Sequence, residues 1–434
     1  MYDVVRGAAG MSWMFGDRGA RMIWGGGGDR PPPVMSAVDI FLKDLGIVRS
    51  EAKAARSPVP LAAAAFQQFV AARGLGLGRE DDSRVVKAYE AVTGVTVGGK
   101  KGGGEYSAPA SAQDGTSSGT VVEPQDVTVV GIGAMGGGIA RALLRADATK
   151  TVCGYDRSDS LASSFLEEAK EAGKARGNEV PRRLDEAVTN ETDSVILVLV
   201  NERQCEEVCF GGQADDNLLS LMKSGSCVIL CSTVTATWAK RAAERFAARG
   251  IRFVDCPISG GPARAKTGEL TMMASGDDDS MARAVPLLNA AGRDVHVIPG
   301  GAGFGSTVKM VHQLLAGVHV VCAAEALALS AKTGIDPRQM YGIVNGAAGA
   351  SWMFADRGGR MIAAGEPDVM SAVDIFVKDL DIVLSEAAAL GCPVPIASAA
   401  LQQFISAQGM GLGRKDDSQV IRVYEQITGV SAGR

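Results

Sequence analysis

The sequence predicts a doubly wound α/β domain followed by an all-α helical bundle, with an additional, partial copy of that bundle at the amino terminus. Three observations carry this reading. Short apolar runs alternate with amphipathic segments between Val127 and Ile298, helical apolar spacing dominates on either side of that region, and the two ends of the chain repeat one another.

The repeat comes first in the chain. "GAAGMSWMFGDRGARM" (Gly7 to Met22) returns as "GAAGASWMFADRGGRM" (Gly346 to Met361), and Met1 to Gly26 matches Met340 to Gly365 at 18 of 26 positions. A four-residue insertion within "GGGGDRPPPVM" shifts the register before "SAVDIFLKDLGIV" meets "SAVDIFVKDLDIV" and "PVPLAAAAFQQF" meets "PVPIASAALQQF". Apolar residues at helical spacing and a Pro-x-Pro break predict a small bundle for each copy. The first spans residues 1–97. Residues 98–124, rich in Gly and Ser, cannot build a core and read as a flexible linker.

Residues 125–304 form the α/β domain. Val127 to Ile132, Thr151 to Tyr155, Ser194 to Val200, Cys227 to Leu230, Arg252 to Val254, Thr271 to Ala274 and Val295 to Ile298 read as strands of a parallel, doubly wound sheet. Residues 305–434 form the helical domain, opened by a long helix from about Ser306 to Lys332 that lacks proline. Its apolar stretch from Leu314 to Ala331 is interrupted by His319 and Glu325, so it reads as a buried helix and no membrane span is expected.

A chain of 434 residues with 46% hydrophobic residues and 55 glycines suits a turn-rich globular enzyme. A net charge of −5 argues against a nucleic-acid partner, which needs a concentrated basic surface. The eight cysteines contain no C-x-x-C pair and read as reduced core residues of an intracellular, cytoplasmic protein; with three histidines, no metal site is expected. No signal peptide is visible, although Met1 corresponds to the internal Met340, which leaves the natural start of the chain and its compartment open.

The chemistry begins at "VTVVGIGAMGGGIARALL". Gly131, Gly133 and Gly136 make a G-x-G-x-x-G between a strand and a helix, so the turn Gly131-Ile132-Gly133-Ala134-Met135-Gly136 offers bare backbone and helix N–H groups to a pyrophosphate. A purely structural strand-to-helix turn is the alternative. Asp156, ending the next strand in "GYDRS", is placed to accept from the adenosine ribose hydroxyls and favours NAD, while the adjacent Arg157 keeps NADP open. In "DCPISGGPARAKTGEL", the Ser259-Gly260-Gly261 turn exposes a hydroxyl and N–H groups suited to a carboxylate, unless it is an ordinary turn. Lys309 lies early in the long helix, with His312, Gln313 and Ala316 near the same face. It is either a surface charge or an acid/base group for a substrate hydroxyl.

The order of these motifs, ending in "FVKDL", resembles the β-hydroxyacid dehydrogenases, relatives of 3-hydroxyisobutyrate dehydrogenase within the 6-phosphogluconate dehydrogenase-like superfamily, over Val127 to Val430. The resemblance implies a Rossmann NAD-binding domain. It implies Lys309 as the catalytic lysine, Ser259, Gly260 and Gly261 around the substrate carboxylate, and Leu199, Val200, Thr233 and Lys378 at the cofactor, with Val200 replacing the family's proline. His312 and Gln313 stand where the family commonly has asparagine. Together with "HQLLAGVH", "SWMF" and "GRKDDSQVI" they resemble the L-threonate dehydrogenase branch. In that reading Gln313 donates to substrate oxygen and His312 reads an extra hydroxyl; a histidine satisfied by a backbone carbonyl is the alternative.

The expected activity is NAD-dependent oxidation of a sugar-derived 2-hydroxy acid in a homo-oligomer. Reduction of the 3-hydroxyisobutyrate or tartronate-semialdehyde type is the rival, and a non-catalytic dinucleotide-binding module is a rival of another class. The amino-terminal copy keeps "SWMF" and Lys43-Asp44 but has no sheet, no "SGG" turn and no long helix. It is expected to be catalytically dead, so that removing Met1 to Glu123 leaves activity. It either docks where a second subunit's bundle would sit or is a fragment with no docked role.

Overall fold

The computed structural model describes residues 1–25, 32–98, 123–211 and 216–433. Nearly all of the expected linker (99–122) and part of the insertion (26–31) lie outside them. The chain divides into two compact units, Met1–Glu105 with Val311–Arg434, and Tyr106–Met310.

The amino-terminal copy contributes α1 (Tyr2–Arg6), α2 (Ala20–Trp24), α3 (Val38–Ala55), α4 (Pro60–Gly74) and α5 (Val86–Thr93). In the second unit a five-stranded parallel sheet runs in the order β2-β1-β3-β4-β5, from β1 (Gln125–Val130), β2 (Thr149–Tyr155), β3 (Ser194–Leu197), β4 (Cys227–Leu230) and β5 (Arg252–Asp255). Its helices are α6 (Gly136–Leu144), α7 (Asp159–Glu171), α8 (Leu184–Ala187), α9 (Glu202–Phe210), α10 (Leu218–Leu221) and α11 (Ala236–Ala247). One departure from expectation follows β5. The later strands leave the parallel sheet and form a second, three-stranded one, β6 (Ile258–Ser259), β7 (Leu270–Ala274) and β8 (Gly292–Val297), in which β6 and β7 are antiparallel. Two further helices, α12 (Gly261–Thr267) and α13 (Asp278–Ala291), connect them.

Alternation along the strands sends successive side chains to opposite faces. Val129, Ile196, Ile229 and Val254 join one apolar core with Ile139 and Leu143 of α6, whereas Val195, Leu197, Val228 and Leu230 join another with Trp238 and Phe246 of α11. Both faces are buried, as a parallel sheet requires.

The long helix α14 (Phe304–Lys332) begins in this unit and runs into the other, spanning roughly 40 Å at about 1.5 Å per residue. After it come α15 (Pro337–Asn345), α16 (Gly359–Met361), α17 (Val373–Ala389), α18 (Pro395–Ala407) and α19 (Ile421–Thr428). α14 is long and apolar enough to cross a membrane, yet Ala316, Val320, Ala324 and Leu327 are buried among the surrounding helices. Gly317 lets α17 approach, since a Cβ there would meet the Leu380 side chain at 3.0 Å.

The two copies lie in one unit and make the same internal bonds. Arg18 pairs with Asp82 at 3.0 Å and Arg357 with Asp417 at 2.9 Å; Phe41 stacks on Phe69 and Phe376 on Phe404. Their contact with each other is reciprocal. Trp13 N–H donates to the Ala350 carbonyl and Trp352 N–H to the Met11 carbonyl, both at 2.9 Å. Because Trp13 corresponds to Trp352 and Met11 to Ala350, each copy offers the same atoms to the other, the pattern of a twofold interface. Glu325 on α14 adds a tie: its carboxylate accepts from the Leu61 and Ala62 amides at the start of α4, both at 3.1 Å, and from the Tyr424 hydroxyl at 3.2 Å. Burial pushes this carboxyl above its usual range, and the three donors oppose that shift.

Candidate active site

The glycine turn follows β1. Gly131 has φ 87°, and a Cβ there would lie 2.4 Å from the Val198 carbonyl oxygen; a Cβ at Gly136 would lie 1.8 Å from the Gly131 oxygen. Gly133 differs, because a Cβ there would meet nothing within 4 Å and would project into open space. Two glycines thus permit the tight turn and the third leaves room for a ligand against bare backbone. Beside them a cavity of about 270 Å³ opens at the carboxyl ends of β1, β2 and β3, lined by Gly131, Gly133, Asp156, Arg157, Leu199 and Val200 among others. That is the switch point of a 2-1-3-4-5 sheet, where ligands of open α/β folds bind. Ile132, Ala134, Met135 and Gly136 complete the turn without lining this cavity, and Thr233, half-buried, follows Ser232 at the end of β4.

Asp156 makes bonds that the sequence did not reveal. Its Oδ2 accepts the Ile132 amide of the glycine turn at 3.0 Å and its Oδ1 accepts the Ser158 amide at 2.9 Å. Arg157 is turned to Glu207, 3.0 Å away on the far wall of the cavity. Leu199 is held through its amide by the buried Ser232 hydroxyl at 2.7 Å, and the Val200 amide donates to Gln204 Oε1 at 3.0 Å, a bond that the family's proline has no N–H to make.

Ser259 lies at the end of β6 rather than within the turn, and Gly260 (φ 135°) with Gly261 (φ 72°) makes the bend into α12. Lys309, in the second turn of α14, is buried at 6% exposure, which removes the surface-charge reading. What positions its helix is Asp255, at the end of β5. This carboxylate accepts the Gly303 amide at 3.0 Å, the Ser306 amide at 2.8 Å and the Ser306 hydroxyl at 2.7 Å, and so caps α14. Full burial pushes Asp255 up to about 6, against the pull of these donors. The sequence held a partial signal, the "D" of "DCPISGG", but its partners lie about 50 residues on.

In the first unit, His312 and Gln313 form a buried chain of bonds. The Gly10 amide donates to His312 Nε2 at 3.1 Å; His312 Nδ1 meets Gln313 Oε1 at 2.9 Å; the Gln313 amide donates to Asp379, and Asp379 pairs with Lys378. Of the two readings of His312, a reader of an extra hydroxyl or a ring satisfied by a backbone carbonyl, the second meets at Nε2 a backbone donor instead of a carbonyl. Asp379 is 3% exposed and Lys378 22%, whereas the corresponding Asp44 and Lys43 of the amino-terminal copy are 51% and 60% exposed. The same dipeptide becomes an inward-facing pair only where a long helix runs beside it.

A glycine turn at the switch point of a parallel sheet, an open-sided Gly133 and a capped helix with a buried lysine define an NAD(P)-dependent α/β oxidoreductase. Comparison with known proteins makes the class specific. Residues 126–300 match the NAD-binding domain of 6-phosphogluconate dehydrogenase, and residues 1–89 and 303–424 match the NAD-binding domain of NADP-dependent 3-hydroxyisobutyrate dehydrogenase. L-threonate dehydrogenase from Escherichia coli O6:H1 is 41% identical over 70% of this chain and 95% of its own length, and the Pectobacterium atrosepticum protein of that name is 39% identical over the same shares. A crystal structure of 3-hydroxyisobutyrate dehydrogenase from Salmonella typhimurium superposes with a TM-score of 0.61 at 40% identity, over 69% of this chain and 99% of that one. The chain belongs to the 3-hydroxyisobutyrate dehydrogenase-related family of 6-phosphogluconate dehydrogenase-like enzymes. It is a hydroxyacid dehydrogenase acting on CH–OH with NAD(P).

Proposed function

We propose that the chain oxidises a four-carbon sugar acid, L-threonate, at C2 to the 2-oxo acid, with NAD. The observation that carries this reading is the burial of Lys309 one helical turn before the bonded pair His312-Gln313, in a chain about 40% identical to L-threonate dehydrogenases over nearly their whole length. NAD, when bound, accepts the hydride. The rest falls to the protein's own groups. Gly131, Gly133 and the start of α6 hold the pyrophosphate, Asp156 accepts from the ribose, and Leu199, Val200, Thr233 and Lys378 flank the cofactor. Ser259, Gly260 and Gly261 hold the substrate carboxylate. Lys309 takes the C2 hydroxyl proton in a setting closed to water, and Gln313 and His312 meet the remaining hydroxyls. Fixing acid and base in one geometry supplies much of the rate.

The name of the Salmonella typhimurium structure supports a second reading, 3-hydroxyisobutyrate as substrate. Side-by-side rates on L-threonate, D-threonate, 3-hydroxyisobutyrate and glycerate, each with NAD and NADP, decide between them. The expected order puts L-threonate with NAD first by at least tenfold. A higher kcat/KM on 3-hydroxyisobutyrate overturns the proposal, and no turnover on any acid with cofactor bound supports a non-catalytic module.

A further inference from the structure

The bond between Gly10 and His312 joins residues 302 positions apart, and it bears on what the amino-terminal copy is for. Gly10 corresponds to Gly349 in the carboxyl-terminal copy. The reciprocal Trp13–Ala350 and Trp352–Met11 bonds set the two copies about a local twofold, and Gly10 of the amino-terminal copy reaches α14, the helix that precedes the other copy. It does so at close range, since a Cβ on Gly10 would lie 3.3 Å from His312 Cδ2 and 3.4 Å from the His312 carbonyl oxygen.

We propose that the amino-terminal copy is a working part of the active site: the Gly10 amide fixes the tautomer of His312 and through it the orientation of Gln313. This deepens the reading of Lys309 as the base and rests on it.

A backbone amide can only donate, so His312 Nε2 must be bare and its proton must sit on Nδ1. Nδ1–H then donates to Gln313 Oε1, which turns the Gln313 NH₂ toward Asp379, a carboxylate that can only accept. Every member of the chain is satisfied in one arrangement. His312 is 1% exposed and Gln313 8%, so water has little access to supply a missing partner. Without the Gly10 N–H, Nε2 loses the donor that keeps it bare. Gly10 is thus a positioning residue. This reverses the expectation that the amino-terminal copy can be removed without loss of activity.

Histidine NMR on the unaltered full chain tests the tautomer, and with only three histidines the signals are assignable by single His→Gln substitutions at His296 and His319. The expected result at neutral pH is a His312 ring protonated at Nδ1 and bare at Nε2. An Nε2–H ring or an imidazolium overturns the proposal, whatever the enzyme's substrate. Gly10→Pro then removes the donor and adds a Cβ against His312, so Gly10→Ala, which adds that Cβ and keeps the N–H, is its control. Gly10→Pro is expected to lower kcat at least tenfold, keep the KM for NAD within twofold and the melting temperature within a few degrees, and shift the His312 ring signals. Parental kcat in a folded Gly10→Pro protein overturns the proposal. Should that variant fail to fold, Gly10→Val, whose side chain pushes the amide off the ring, takes its place with the same expectations. Lys309→Met tests the underlying reading separately: turnover surviving there, with the Nδ1–H signature intact, overturns the base assignment alone.

Discussion

Ser306 gives Asp255 both its amide, at 2.8 Å, and its hydroxyl, at 2.7 Å, so the last residue of β5 holds the first turn of the helix that carries Lys309. Asp255→Ala leaves the Gly303 and Ser306 donors buried without an acceptor. Unpaired buried donors cost about 1–3 kcal/mol each, so a loss of roughly 3 kcal/mol in urea unfolding and at least a tenfold fall in kcat are expected. The pH dependence follows from the sign of the shift. Because the folded state holds the Asp255 proton up to about 6, against the ordinary 3.8, this group favours the fold most below pH 4 and that contribution is lost as pH rises through 6. The stability gap between parent and Asp255→Ala is therefore expected to narrow from pH 4 to pH 7, by up to about 3 kcal/mol.

Lys309→Met is expected to abolish turnover while NAD binding, followed by fluorescence titration, changes less than threefold. A placed proton acceptor contributes roughly 100- to 10,000-fold, so retention of a tenth of the parental rate would falsify the assignment.

Asp156 accepts the Ile132 amide of the glycine turn, and in the proposed reading it accepts from the cofactor's ribose as well. Asp156→Ala is expected to weaken NAD by at least tenfold. NADP suffers less, because the repulsion of a 2′-phosphate goes too, and Arg157 can exchange Glu207 for that phosphate. Measured Kd values that rise equally for both cofactors would remove Asp156 as the selector.

The glycines separate space from strain. Gly133→Ala is expected to melt within a few degrees of the parent and to bind NAD at least tenfold more weakly, because its new methyl group enters the ligand's space. Gly136→Ala forces a methyl group onto the Gly131 oxygen and is expected to cost about 3 kcal/mol or more in stability. Equal melting temperatures for the two variants would contradict this division.

Local pattern explains what was legible beforehand. β4 is read to the residue, Cys227–Leu230, because it is an uninterrupted apolar run in an interior parallel strand that opens after Ser226. β6 escaped because two residues after Pro257 carry no period, and with it went the second sheet. β8 begins at Gly292, three residues before its apolar run, since pairing with β7 extends into polar sequence. The order of glycine turn, "SGG" and lysine marks the candidate site's residues along the chain. The Asp255 cap and the Gly10–His312 bond leave no such trace, because donor and acceptor lie about 50 and 302 positions apart and a lone Asp or Gly announces no partner.

The reciprocal bonds at Trp13–Ala350 and Trp352–Met11 lie within a single polypeptide. Pairing of two separate chains weakens on dilution, because its apparent stability depends on protomer concentration. Here the partner arrives at a fixed effective concentration set by the connection between the copies. Each newly made chain has its counterpart at hand from the moment both copies have folded, and it meets nanomolar and micromolar conditions with the same pairing.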